Sequence, residues 1–348
     1  MLGFVIRRAL WAVVLLLVVS FVTFVLFFVV ASEDIRIGRG ASAVEFSIRE
    51  SFGVERTSVP LEYAQFVWTV VRHGSLGQSF VSRREVTDVL ADAIPITASL
   101  LLGGVVLFLL LAIPIGVFSA LRSRSVFDRA SMVLILIGVS AHPAWIGLIL
   151  SYVVGFRLGL TPIGGYCDLV DPSTGCGGAT DWAYHLVLPW LTFAILFAAL
   201  YARMIRASVL ETLDEDYVRT ARAKGAPRTV VLRSHVFRNA MLPVVTMLGL
   251  DIGLAFGGSI FVETVYGLPG VGRIGLQALA RRDLPVVMGV VLLVTTAIVV
   301  ANMLVDLLYG WLDPRTATRS LRAAHREAAP PAQEASPAPL SVAPRSSA

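Results

Sequence analysis

Tyr217 to Pro243 reads YVRTARAKGAPRTVVLRSHVFRNAMLP. This basic stretch is interrupted by Gly225-Ala226-Pro227 and lies between two long apolar runs. Charge and helical character concentrated in one connection between apolar runs point to a loop on which something soluble docks. Gly225 suits the position that closes a first short helix over residues 219–224. Pro227 suits the start of a second, after a sharp bend. Arg219, Arg222, Lys224 and Arg228 are expected to stay wet, while Val230, Val231 and Leu232 bind back to the apolar part. On charge alone, a basic amphipathic segment lying on lipid competes with docking.

The flanking runs set the environment. Of 348 residues 56% are hydrophobic, with mean hydropathy +0.77, too apolar for a soluble domain. A spanning helix needs about 20 apolar residues. Ala9–Ser32, Ala93–Leu121, Ala130–Phe156, Trp182–Ala202 and Leu284–Val305 contain no Asp, Glu, Lys or Arg, and Asn239–Val262 contains only Asp251. The pattern predicts an all-α membrane protein with six transmembrane helices. Its parts are a first transmembrane helix at 1–32, a small outer region at 33–92, a five-helix core at 93–316 carrying the loop at 206–240, and a disordered Ala/Pro/Ser-rich tail at 317–348. Val29-Val30-Ala31 offers a passable signal cleavage site. The apolar core before it is longer than a signal's, so an uncleaved anchor is the better reading.

Placing both termini inside assigns eighteen Lys/Arg to inner segments and eleven to outer ones, in keeping with the positive-inside rule. The net charge of +5 then fits contact with the cytoplasmic lipid face. No basic–aromatic pattern points to nucleic acid. Cys167 and Cys176 share one outer loop, where a disulfide is permitted; free thiols are the alternative. They are too few to hold a metal, and none is expected.

Several chemistries lack their residues. Lys224, the single lysine, is followed by Gly225 and Ala226, which excludes a phosphate-binding P-loop there. Gly270-Val-Gly272-Arg-Ile-Gly275 matches a dinucleotide fingerprint, but no strand precedes it. A turn into a short outer helix over 274–282 explains it better. His142 has no serine at a spacing that picks it out as a partner. Asp251 is the one acid deep in a predicted span, too little for a proton-driven pump. It either lines a passage for a cationic group or is a hydrogen-bonded carboxyl between helices. Gly253, Gly257 and Gly258 nearby permit close helix approach.

Tyr217-Val-Arg-Thr-Ala221-Arg-Ala-Lys224-Gly225, His235, Asn239 and Leu242-Pro243 resemble the EAA loop of ATP-binding-cassette importer permeases, in the form found in the oligopeptide/dipeptide/nickel permease family. Arg219-Thr220-Ala221 stands where the general pattern has Glu-Ala-Ala. The segments 73–79, 140–143 and 263–272, with Arg282-Asp283 and Asp313-Pro314-Arg315, are similar to other parts of that family, and the likeness covers roughly residues 1–316. The resemblance implies a type I importer permease fold in the cell membrane. It implies a second permease, two cytoplasmic ATPases holding ATP and Mg, and an extracytoplasmic solute-binding protein as partners, with peptide as cargo. The chain itself would bind no cofactor and would not be an enzyme. Tyr217, Arg219, Ala221, Arg222, Ala223, Lys224, Gly225, Asn239 and Pro243 become the ATPase-coupling residues. A self-contained channel or secondary transporter, or a membrane assembly protein, is the rival class.

Overall fold

The computed structural model describes residues 2–26, 59–169 and 176–312. The Val29-Val30-Ala31 triplet, the first part of the 33–92 region, Asp313-Pro314-Arg315 and the 317–348 tail lie outside those residues. The described residues are mostly helical, with no strand and two isolated bridges, Gln78 to Glu85 and Asp168 to Gly177.

The helices are α1 (Leu2–Phe24), α2 (Val59–His73), α3 (Val86–Leu121), α4 (Val126–Ser140), α5 (Pro143–Leu150), α6 (Ala179–Leu213), α7 (Asp216–Ala223), α8 (Leu242–Tyr266), α9 (Val271–Ala280) and α10 (Leu284–Leu312). α3, α6 and the Leu284–Val305 part of α10 are each long and apolar enough to cross a membrane, and two bent pairs raise the number to as many as five. The described apolar part of α1, Ala9–Phe24, is shorter than a span, although the charge-free run continues in sequence to Ser32.

The third apolar run is not one straight helix. α4 and the following Pro143–Arg157 segment meet at 107°. Pro143 opens α5 at its first turn, where its missing N–H matters least. The His142 side chain accepts from Ala144 N (3.3 Å) and caps it. His142 therefore ends one helix and starts the next, and its ring stands edge-on to Phe261, 4.6 Å between centroids.

α3 and α6 form the most extensive pairing. Gly104 of α3 lies against Phe193, and Gly116 against Ile205 and the Ala202 carbonyl. Small residues let the two backbones approach where lipid supplies no hydrophobic drive between helices. Trp190 Nε1 donates to the Ser99 carbonyl (2.9 Å) across this seam. Tyr266 Oη donates to the Gly147 carbonyl (3.1 Å) and bonds Thr192 Oγ1 (2.8 Å), tying α8 to α5 and α6.

α2 packs on α1 and α10 through Phe24, Phe66 and Met288. The turn after it has left-handed Gly74 and Gly77. Buried Asp283, just before α10, holds that turn by accepting from Ser79 Oγ (2.5 Å) and Phe80 N (3.1 Å).

Candidate functional site

The 217–243 stretch folds as two short helical pieces joined by a bend. α7 places Asp216 in its first turn and Arg222 in its last, each at the end its charge favours. It ends in a Schellman motif. Gly225 N donates to the Arg222 carbonyl (3.0 Å) and Ala226 N to the Ala221 carbonyl (3.2 Å). Gly225 has φ +78°, which a residue with a Cβ adopts only at a penalty. Pro227 then caps a second piece, α-helical at Arg228–Val230, π-wound over Val231–Phe237 and α-helical again at Arg238–Ala240.

One face of this bent loop is buried and the other bare. Val218, Val231, Val236 and Ala240 are buried. Arg219, Arg222, Ala223, Lys224, Gly225, Arg228, Asn239 and Pro243 are exposed, and Ala221 is half-buried. Tyr217, Val230 and Phe237 add apolar surface to the bare side, at 40%, 45% and 40% exposure. Such surface among arginines suits a protein partner better than water. Val230 therefore departs from the expectation that 230–232 bind back together. Neighbouring residues on a helix point about 100° apart, so burying Val231 turns Val230 outward.

Tyr217 and Asn239 come together across the bend, Asn239 Nδ2 donating to Tyr217 Oη (2.8 Å) and to the His235 carbonyl (3.1 Å). Ser208 Oγ of α6 donates to the Ala240 carbonyl (3.0 Å) and fastens the returning piece. The Arg219–Asp216 pair is long (3.9 Å) and exposed, so it adds little. A cavity of about 540 Å³ lies beneath, lined by Arg222, Ala226 and Arg228 from the loop and by Ala120 and Ser123 from the α3–α4 elbow.

The predicted loop boundary at 206 falls inside α6, which continues to Leu213. Ile205, Val209 and Thr212 stay buried at helical spacing after the charge-free run ends. Arg206 is accommodated by pairing with Asp128, Nε to Oδ1 2.6 Å and Nη2 to Oδ2 2.8 Å. The periodicity did not single out this pair. Charges just outside two charge-free runs, Asp128 before 130–156 and Arg206 after 182–202, are the available signal.

Asp251 is buried and accepts from Tyr201 Oη (2.9 Å), which joins α8 to α6. Cys167 and Cys176 are bonded, with Cα atoms 5.5 Å apart. Among the described residues no His/Cys/Asp/Glu group is arranged to hold a metal.

The glycine-rich turn at 270–275 is already filled by a carboxyl group of the chain itself. Glu263, fully buried, sits at the start of α9, accepting from Arg273 N (2.9 Å) and Thr97 Oγ1 (2.7 Å), while Val271 N donates to Thr97 Oγ1 (2.8 Å). A Cβ on Gly270 would lie 2.6 Å from both Glu263 oxygens. The glycine makes room for an internal carboxyl group at the position where a nucleotide fold admits a phosphate.

Residues 112–318 match the family described as binding-protein-dependent transport system inner membrane component, and residues 1–101 match the N-terminal region of such membrane components. The chain is 35% identical over 336 residues to the dipeptide transport system permease protein DppB of Escherichia coli, covering 90% of this chain and 98% of that one. A Brucella abortus protein named as a peptide transport system permease is 35% identical over 318 residues, with 90% and 99% covered. A Brucella suis protein named as a peptide permease is 40% identical over 271 residues, with 77% and 83% covered. By the extent of these matches, the chain belongs to the family of inner membrane components of binding-protein-dependent transport systems.

Proposed function

We propose that the chain is one permease subunit of an ATP-driven peptide importer, moved by cytoplasmic ATPases that grip the 217–243 loop. The observation behind this is the loop itself, a bend with Val218, Val231 and Val236 buried and with Tyr217, Val230, Phe237 and its arginines presented. Peptide as cargo rests on the names of the relatives. Six spans with both termini in the cytoplasm put the loop on the ATPase side. The disulfide loop and the 33–92 region then face the solute-binding protein. The α8 face at Leu254, Gly257, Gly258 and Phe261, open along its glycines, is offered to a second permease. ATP and Mg belong to the ATPases.

The test isolates the tagged chain in mild detergent and identifies what accompanies it, then measures peptide uptake by the reconstituted assembly. ATPases in the complex and ATP-dependent uptake are expected. Steady solute flux by the isolated chain in liposomes would overturn the proposal in favour of a self-contained transporter.

Asp251 is assigned to the passage, where its carboxylate, oriented by Tyr201, favours a peptide ammonium. Asp251→Asn keeps the shape and removes the charge. Uptake of a cationic peptide is expected to fall about tenfold, as for loss of a 1.4 kcal/mol interaction. Unchanged uptake at normal expression would reduce Asp251 to a bond between helices.

A further inference from the structure

The α3–α4 elbow and the exposed loop lie at the same end of the bundle without packing tightly on each other. About 540 Å³ of open space separates Ala120 and Ser123 from Arg222, Arg228 and Val231. A push on the loop is not passed efficiently across a gap, because displacement travels through contiguous packed or hydrogen-bonded groups. The loop is fastened to α6 instead, through its buried valines and the Ser208–Ala240 bond.

Half a turn from Ser208, on the same helix, Arg206 grips Asp128 with both arms of its guanidinium. The Asp128 carboxylate also accepts from Ser119 Oγ of α3 (2.5 Å) and from Arg124 N of the elbow (2.8 Å). Ser125 caps α4 by accepting from Asp128 N (3.2 Å). One carboxylate thus joins α3, α4 and α6, and its side chain is only 6% exposed. The elbow is further constrained by Arg124, whose φ of +66° is unusual for a residue with a side chain. A two-armed guanidinium fixes orientation as well as distance, which a lysine ammonium does not.

We propose that the Asp128–Arg206 clamp carries movement of the 216–240 loop into the α3–α4 elbow, so that the bundle opens in step with the loop. Neither residue needs to touch solute; both are positioning residues. This rests on reading the chain as the moved partner of ATPases.

The test uses the complete importer in liposomes, with ATP hydrolysis and peptide uptake measured on one preparation. Arg206→Met is expected to lower uptake per ATP by about tenfold, a usual size for coupling between sites, while hydrolysis stimulated by the binding protein persists. Arg206→Lys is expected to fall between Met and wild type. An unchanged ratio in Arg206→Met overturns the proposal, as does parallel loss of hydrolysis and uptake, the mark of a merely structural pair. Should Arg206→Met fail to assemble, Arg206→Lys and Asp128→Glu decide. Both keep the charges and disturb the fork, and an unchanged ratio in both overturns the clamp. Absence of ATP-dependent uptake by the wild-type assembly overturns the functional reading, and the clamp with it. Effects confined to the variants bear on the clamp alone.

Discussion

Gly270→Val is expected to prevent the folded protein from accumulating. The new Cβ would sit 2.5 Å from the carboxyl carbon of Glu263 and 2.6 Å from both its oxygens. That carboxylate is fully buried, so it has no solvent to retreat into. Making room means withdrawing it from Arg273 N and Thr97 Oγ1 and leaving buried groups without partners. Each orphaned group costs about 1–3 kcal/mol, and a clash with a packed neighbour adds about 1–3 kcal/mol. Glu263→Ala removes the same bonds without the clash and should destabilise by about 2–4 kcal/mol on that scale. Glu263→Gln keeps one acceptor and should fall nearer wild type. The amount of each variant in the membrane, with thermal unfolding of those that can be purified, would rank the three. A Gly270→Val protein that melts with wild type would mean the glycine makes room for something other than this carboxylate.

Gly225→Val should have the opposite profile, with normal accumulation and failed transport. Nothing lies within 4 Å of the position a Cβ would take, so the substitution creates no collision. The penalty is conformational, about 1–2 kcal/mol for holding a side-chain-bearing residue left-handed. It falls on the bend that is proposed to engage the ATPases. Since about 1.4 kcal/mol is a factor of ten, ATP-dependent uptake should drop roughly tenfold while the amount in the membrane stays unchanged. Gly225→Asn, which tolerates this conformation better, should keep most activity. Uptake by Gly225→Val equal to wild type would show that the bend is not what the ATPases engage.

These two glycines also mark how far the sequence is legible. Gly225 is readable because its role is local: a basic helical stretch stops, a glycine follows, and a proline starts the next piece. The purpose of Gly270 is not, because the group it accommodates depends on Thr97, 166 residues from Glu263. Periodicity reports which face of a helix is apolar; it does not report what that face meets.

Charge-free runs likewise locate lipid-compatible segments and miss helix ends. α6 outlasts its run because Ile205, Val209 and Thr212 remain packed and Arg206 finds Asp128. Proline is equally ambiguous. Pro95, Pro114 and Pro189 lie inside continuous helices, whereas Pro143 starts one. His142 makes the difference by accepting a backbone N–H that a continuous helix would have bonded elsewhere. The bonded carboxylates Asp128, Glu263 and Asp283 were each visible as isolated acids, without anything to indicate their partners.

The placement of Lys224 turns an accident of composition into a reporter. It is the only lysine among 348 residues, and it lies exposed beside the bend. A lysine-specific protease therefore has one internal cleavage site, and an amine-reactive mass label has one side chain to modify. Protection of that single amine, followed through a cycle of nucleotide addition, would show directly when the bend is covered and when it is released.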